Sequence, residues 1–315
     1  MNMHIFSKSG LSLERLRTFS EVVTASGISH AAPGDPNRQS QFSRQLRELE
    51  EFFGAQLIVR GGGRFELTRE GEELFQIVQF HFRALEDLLR RCSSENVDIT
   101  IGAGDSILHG WVLPNLGKLR ATFPKATFSL ANLRNEQSLD GLMKGQIDLG
   151  IVSGAEERAS LSYLPIGSIR FGLLTPDRSV KEAPKKKLWP LIAHTPIAVL
   201  AESEIASAFE AEASKAGMNL NVCLRGSSYP QIVEAIRQIR CAALVPTFAA
   251  TGMMNQCDLV SVPALDAFSR RASVVWDPRQ SNLRPHVQKV AEILRDLLSE
   301  NLGNSPGGRR TKARS

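Results

Sequence analysis

The segment from Asp35 to Gly54 constrains the chain most, because both of its ends are chemically marked. Asp35 suits a helix N-cap, since its carboxylate can accept from the unpaired N–H groups of a first turn. Pro36 suits the first helical position, where no N–H is needed. Gly54 suits a stop, because glycine enters the left-handed region without steric cost. Between them Phe42, Leu46, Leu49 and Phe53 are spaced four, three and four, which predicts one inward stripe. The outer face then carries Gln39, Ser40, Ser43, Arg44 and Arg47. Arginine can donate twice to a guanine edge, glutamine can bridge adenine, and hydroxyls reach bases or phosphates. A plain solvated helix would have the same composition, so the neighbouring segments decide between the two readings.

Upstream, Leu13, Leu16, Phe19, Val22 and Val23 predict a helix from about Ser12 to Ala25, ended by Gly27. A short helix from Ser29 is limited to little more than a turn by Pro33 and Gly34. Downstream, Gln56–Arg60, three glycines and Arg64–Leu67 predict strand, turn and strand. Arg60 and Arg64 would make that hairpin a basic wing able to grip a phosphate backbone. Thr68 is expected to cap a long helix in which Phe75, Val78, Phe82, Leu85, Leu89 and Cys92 alternate by threes and fours. That is the spacing of a coiled-coil seam, and it predicts pairing with a second copy. Packing of the helix onto its own domain is the alternative.

Charge alone does not locate a nucleic-acid surface. The net charge of +5 is nearly all in residues 303–315, which hold four basic side chains and no acid, whereas residues 1–92 hold twelve of each sign. The tail is expected to be disordered and to add only non-specific attraction to phosphate. Cys92, Cys223, Cys241 and Cys257 are far apart, with no CxxC pair, and the six histidines show no HExxH spacing. Neither a disulfide framework, a metal site nor a cofactor is expected. A redox pair of Cys223 with Cys241 is the lesser reading, small buried hydrophobes the greater. No apolar run approaches the roughly 20 residues of a membrane span, and no secretion signal opens the chain, so a cytoplasmic protein is expected.

From Val97 the pattern changes. Val97–Ala103, Ala126–Leu133 and Ile147–Ser153 are expected strands, alternating with helices at Ile107–Thr122 and Ser138–Lys144. A second unit has strands near Tyr163–Thr175, Pro196–Leu200, Leu220–Leu224, Ala242–Val245 and Leu259–Val262, with helices at Glu204–Ala216 and Pro230–Ile239. A strand Ala272–Trp276 and a helix Leu283–Leu298 are expected to return to the first unit. Such alternation predicts parallel α/β sheets. The expected organisation is residues 1–68, 69–96 (a linker and dimerisation helix), 97–302 (a sensor) and 303–315 (the basic tail).

The chain resembles the LysR-type transcriptional regulators. The resemblance rests on Leu16-Arg-Thr-Phe19, Gly27-Ile-Ser-His-Ala-Ala32, Gln39-Ser-Gln-Phe-Ser-Arg-Gln-Leu46, Leu49-Glu50, Gly54-Ala-Gln-Leu57 and Leu67-Thr-Arg-Glu-Gly71, without gaps from Leu13 to Gly71. Weaker matches continue at Ile101-Gly102, Leu113-Pro114, Phe123-Pro124, Leu142-Met-Lys-Gly-Gln-Ile-Asp-Leu149 and Leu244-Val-Pro246. The resemblance implies a winged helix-turn-helix, a linker helix and a periplasmic-binding-protein-like sensor of two α/β subdomains. It implies a homodimer or homotetramer that binds double-stranded DNA and answers to a small-molecule effector. By position it makes Gln39, Ser40, Ser43 and Arg44 the reading residues, with Arg64 on the wing. One departure stands out: Pro33-Gly-Asp-Pro36 replaces the usual regular second helix, so the third helix is expected to start early and present Arg38 as well.

Ile101-Gly-Ala-Gly-Asp-Ser106 lacks the third glycine of a dinucleotide loop, since Ile107 stands there. Its better reading is a strand-to-helix loop whose N–H groups and Ser106 hydroxyl face a cleft, which would suit a small anionic effector. Arg134, Ser153, Thr195, Ser227 and Ser228 are the further expected effector contacts, with salt bridging or helix capping as their plain alternatives. Two rival functions are an enzyme on the C-terminal α/β domain and a binding or scaffold protein that no longer reads DNA. The first lacks a nucleophile elbow, P-loop or HExxH, and the second rests only on the Pro33–Pro36 departure.

Overall fold

The computed structural model describes residues 9–59, 65–93, 96–182, 188–201, 203–253 and 255–303. It comprises two compact units: Met1–Glu95 with the short segment Met143–Gln146, and Asn96–Leu142 with Ile147–Ser315. The long linker helix thus shares a unit with the segments before it.

In the smaller unit, α1 (Leu13–Thr24) starts at Ser12, whose hydroxyl accepts from the Arg15 N–H at 3.2 Å. It ends in a tight turn with Ser26 at φ 56°, the left-handed position that glycine usually fills. α2 (Ile28–Ala31) is a single turn, as Pro33 and Gly34 require. α3 (Pro36–Phe53) begins and ends where its caps predict: Asp35 accepts from the Arg38 N–H at 3.0 Å, and Gly54 sits at φ 68°. Strands β1 (Ile58–Val59) and β2 (Glu66–Leu67) pair antiparallel. The expected wing tip, with Arg60, the three glycines and Arg64, lies outside the described residues, as does the tail from residue 304.

α4 (Arg69–Cys92) is capped by Thr68, whose hydroxyl accepts from the Gly71 N–H at 3.0 Å and donates to the Gln56 carbonyl at 2.7 Å. Gly71 is required for closeness. A Cβ there would stand 2.0 Å from the Leu57 carbonyl oxygen, so only glycine lets the helix start against the strand segment. Phe19, Phe42, Leu46, Leu49, Leu57, Leu74, Phe75 and Val78 form the core, with Phe19 and Phe75 edge-to-face at 6.4 Å.

Two expectations are corrected here. Phe53 is 42% exposed, and Phe52 is buried in its place. The Phe52 side of the last turn of α3 is covered by the segment before α1, where a Cβ on Gly10 would lie 3.2 Å from the Phe52 Cβ. The proposed seam of α4 also divides. Phe75 and Val78 are buried in the unit's own core, and Phe82 packs against it half-buried, whereas Leu85 and Leu89 are exposed. Ile77 and Leu88 are exposed too. The repeat looks uniform in sequence, but its first half already has a partner in the same chain.

In the larger unit, β3 (Val97–Ala103) leads to α5 (Asp105–Ile107), a π-helical turn at Leu108–Val112 and α6 (Leu113–Thr122). Then follow β4 (Ala126–Asn132), α7 (Asn135–Met143), β5 (Leu149–Ser153), β6 (Ser162–Ile169) and β7 (Phe171–Thr175). Next come α8 (Arg178–Glu182), α9 (Leu188–His194), β8 (Ile197–Leu200), α10 (Glu204–Lys215), β9 (Val222–Gly226), α11 (Tyr229–Ile239) and β10 (Ala242–Pro246). A 3₁₀ segment Thr247–Met253, β11 (Asp258–Val260), a second 3₁₀ segment Pro263–Phe268, β12 (Arg270–Trp276), α12 (Pro278–Leu283) and α13 (Pro285–Gly303) complete it.

Among the described residues of the larger unit the strands form two sheets, ordered β4-β3-β5-β12-β6 and β11-β7-β10-β8-β9. Each is mixed rather than wholly parallel. β4, β3 and β5 run together, as do β10, β8 and β9, but β12 and β7 are antiparallel to both of their neighbours. The single strand expected near Tyr163–Thr175 is two, β6 in the first sheet and β7 in the second, with Arg170 between them. An apolar run does not show a change of sheet, because either sheet buries it equally well. One core is continuous through β3, β5, β12, α13 and the facing parts of the second sheet. At its edge a fully buried ion pair joins Asp148 to Arg284; Asp148 also accepts from the Thr100 N–H at 2.8 Å, and Arg284 donates to the Asp98 carbonyl at 2.8 Å.

Candidate DNA-reading helix and effector cleft

Positions 40, 43, 44 and 47 are related by three, four and seven residues, so α3 brings them to one face. Ser40, Arg44 and Arg47 are exposed and Ser43 is half-buried, and the Arg44 side chain is 72% exposed. Arg44 lies 3.9 Å from Glu48, which is held more closely by Arg15 at 2.7 Å. The face therefore presents a cation able to reach outward. Arg38 and Gln39 are placed differently. Arg38 donates to Glu21 at 3.2 Å and lies 5.0 Å above the Phe42 ring, while the Gln39 amide donates to the Ala32 carbonyl at 2.8 Å. These two secure the shortened α2 and the early start of α3.

A buried network missed from sequence sets the roll of α3. The Thr18 hydroxyl donates to Gln45 Oε1 at 2.6 Å, and Gln45 Nε2 donates to Glu14 at 3.2 Å. Thr18 and Gln45 are both buried. A buried amide needs its partners, so this pair fixes which face of α3 turns outward. The signal was present in the sequence, since Gln45 lies three residues after Phe42 and four before Leu49, within the apolar stripe.

In the larger unit, Ser106 and Arg134 follow the C-terminal ends of β3 and β4, and Ser153 is the last residue of β5, the third of these parallel strands. Ser227 and Ser228 follow β9 in the same way. Thr195 does not belong with them. It precedes β8, follows α9 and donates its hydroxyl to the Leu191 carbonyl at 2.9 Å, so it lies at the opposite end of the strand. The residue at the correct end is Ala201, whose N–H donates to the Gly226 carbonyl. Several of the remaining positions have local tasks. The Ser153 backbone is gripped twice by the Asn135 amide, and the Ser227 N–H and hydroxyl both donate to Gln231 Oε1. The Arg134 N–H donates to Gln137 at 2.9 Å, and the Arg134 side chain is exposed. Gly104, not Ser106, occupies the N-cap of α5.

The start of α11 holds the largest departure from expectation. Its N-cap residue, Ser228, makes no side-chain capping bond. The Tyr229 N–H instead donates to the carboxylate of Asp105, from the loop after β3. The other carboxylate oxygen lies 3.0 Å from His109 Nδ1. A donor group expected to await an anionic ligand is thus already satisfied by an anion of the chain. Nearby, burial pushes the Tyr229 hydroxyl up to about 12, and it donates to the Ala249 carbonyl at 2.8 Å. Burial, and secondarily the neighbouring Cys223 thiol, push Cys241 up to about 11, so it stays a protonated, packed thiol.

Comparison with known proteins agrees with both units. A family model for the bacterial regulatory helix-turn-helix protein, lysR family, matches residues 13–72, and one for the LysR substrate binding domain matches residues 94–299. The chain is 24% identical over 300 residues to a probable nitrogen assimilation transcriptional activator of Synechococcus elongatus, spanning 92% of this chain and 96% of that one. Its fold is similar to full-length LysG from Corynebacterium glutamicum with bound effector Arg (TM-score 0.59, 17% identity, 92% of this chain and 98% of that one). It is also similar to full-length CbnR complexed with its target DNA (TM-score 0.54, 16% identity, 90% of this chain and 100% of that one).

Proposed function

This chain belongs to the LysR family of DNA-binding transcriptional regulators, and we propose that it reads DNA through Ser40, Ser43, Arg44 and Arg47 of α3. The observation that carries the assignment is the Thr18–Gln45–Glu14 network, which turns that face outward and leaves the Arg44 side chain largely exposed. Arg38 and Gln39 then act as supports for the helix start, with Arg64 a proposed phosphate contact on the wing. Two copies are needed to present two reading helices to two half-sites. The exposed apolar residues of α4, namely Ile77, Leu85, Leu88 and Leu89, supply a surface for pairing into a homodimer or a larger homo-oligomer.

The larger unit is proposed to respond to a small molecule at the loops carrying Ser106, Arg134, Ser153, Ser227 and Ser228, and to act by binding rather than catalysis. The α11 N–H that would favour an anionic ligand is occupied by Asp105. Among the described residues no helix is long and apolar enough to cross a membrane. A cytoplasmic site of action is part of the same proposal.

The test is selection of DNA from a random pool by the full-length protein, followed by mobility shifts with variants. Arg44→Ala is expected to lose about 1–3 kcal/mol of specific binding and to relax preference at one position. Equal affinity and equal sequence preference in the folded variant would remove Arg44 from the reading face.

A further inference from the structure

The two sheets of the larger unit define two halves, between which the chain crosses at Arg170 and again near Ser269. Contacts of two physical kinds join these halves. One kind is apolar and flat: the Trp111 and Phe248 rings stack at 4.5 Å, and Gly110 lies so close to Ala249 that an added Cβ would stand 2.6 Å from the Ala249 Cβ. Such contacts are non-directional and survive small sliding. The other kind is polar and directional, the Asp105 carboxylate on the Tyr229 N–H and the Arg270–Glu204 ion pair. A hydrogen bond weakens steeply with misalignment, so these contacts register a change of angle between the halves first.

We propose that Asp105 is a latch that holds the two halves of the sensor in one arrangement, and that its release is part of the signal the sensor passes on. The anatomy of α11 supports this. A helix start with Ser at the N-cap would ordinarily be served by its own hydroxyl. Here Ser228 makes no such bond, Pro230 has no N–H to offer, and the N–H of the buried Tyr229 is served from the other half. The anion is charge-matched to the positive end of an eleven-residue helix. His109, at 3.0 Å from the second oxygen, keeps the carboxylate aimed. The latch bond therefore exists only in arrangements that bring β3 and β9 ends together. An effector that binds the latched and unlatched arrangements unequally will shift their populations. This inference rests on the regulator reading above.

The experiment uses full-length wild type, Asp105→Ala and Asp105→Asn, with Glu204→Gln as a variant of the exposed cross-half ion pair. Hydrogen–deuterium exchange follows the first turn of α11, and mobility shifts use DNA selected by the wild type. Asp105→Ala is expected to speed exchange at the start of α11 by about tenfold or more, with Asp105→Asn intermediate. It is also expected to change DNA affinity by about fivefold or more without any effector. Faster exchange with unaltered DNA binding would reduce Asp105 to a helix cap and overturn the latch. Unaltered exchange in both variants would overturn it as well. If Asp105→Ala does not fold, Asp105→Asn carries the same two readouts. If the wild type selects no DNA, the regulator reading fails first, and the latch falls with it.

Discussion

Two helices of this protein begin with the same ingredients and teach opposite lessons. α3 opens with Asp35 as its cap and Pro36 in its first turn, and the cap and the N–H it accepts from are three residues apart. α11 also has a proline in its first turn and an aspartate on its first N–H, but that aspartate is Asp105, 124 residues upstream. The first start is a local property of the chain, formed whenever the helix forms. The second exists only when two halves of the sensor come together, so it can report on how they sit. A cap in cis stabilises an element, whereas a cap in trans couples two elements.

That contrast between short-range and long-range polar contacts can be broken at several points, and the effects should fall in size as the partners become more local. The largest is expected at the buried pair of Asp148 and Arg284, which are 136 residues apart. Asp148→Ala removes the counter-charge of a buried guanidinium, and chemical denaturation should show a loss of about 3–5 kcal/mol in the larger unit. A loss well under 1 kcal/mol would mean that water reaches Arg284.

Leu88→Asp tests the exposed half of α4. Sedimentation should show a weaker oligomer, by about 2 kcal/mol if Leu88 is a buried anchor between copies, with the helical signal of the monomer unaltered. An unchanged assembly would place the contact between copies elsewhere. Asp35→Ala removes the cis cap of α3 and should cost about 1 kcal/mol in the smaller unit, visible as an earlier melting of that unit. No change would mean that Pro36 and the Gln39–Ala32 bond suffice. The smallest effect has the opposite sign. Ser26 holds a left-handed conformation that glycine adopts freely, so Ser26→Gly is expected to stabilise by about 0.5–1 kcal/mol in the same melting experiment.

The smaller unit was largely legible because its decisive interactions are close in sequence. Caps at Ser12, Asp35 and Thr68 and the stop at Gly54 are all set by residues within a turn or by the steric properties of glycine itself. Where the reading slipped, the cause was always a partner from afar. Phe52 rather than Phe53 is buried because the segment at Gly10 covers that side. Phe75 and Val78 left the proposed seam because α1 and α3 reached them first. Gln45 stands inside the apolar stripe, and its partners Thr18 and Glu14, which explain why an amide is buried there, come from α1.

Sequence by itself determined the helix limits of the smaller unit, the alternation of strands and helices in the larger one, and the family to which both belong. Periodicity and capping act over a few residues, so they are written where they operate. Only the tertiary structure decided that each sheet is mixed, that β6 and β7 lie in different sheets, that Thr195 sits at the wrong end of β8, and that Asp105 crosses to α11. Strand direction, the end of a strand and the partner of a carboxylate depend on where distant segments meet. A charged group is satisfied by whichever donor arrives, and nothing in its own neighbourhood of the chain records which one that will be.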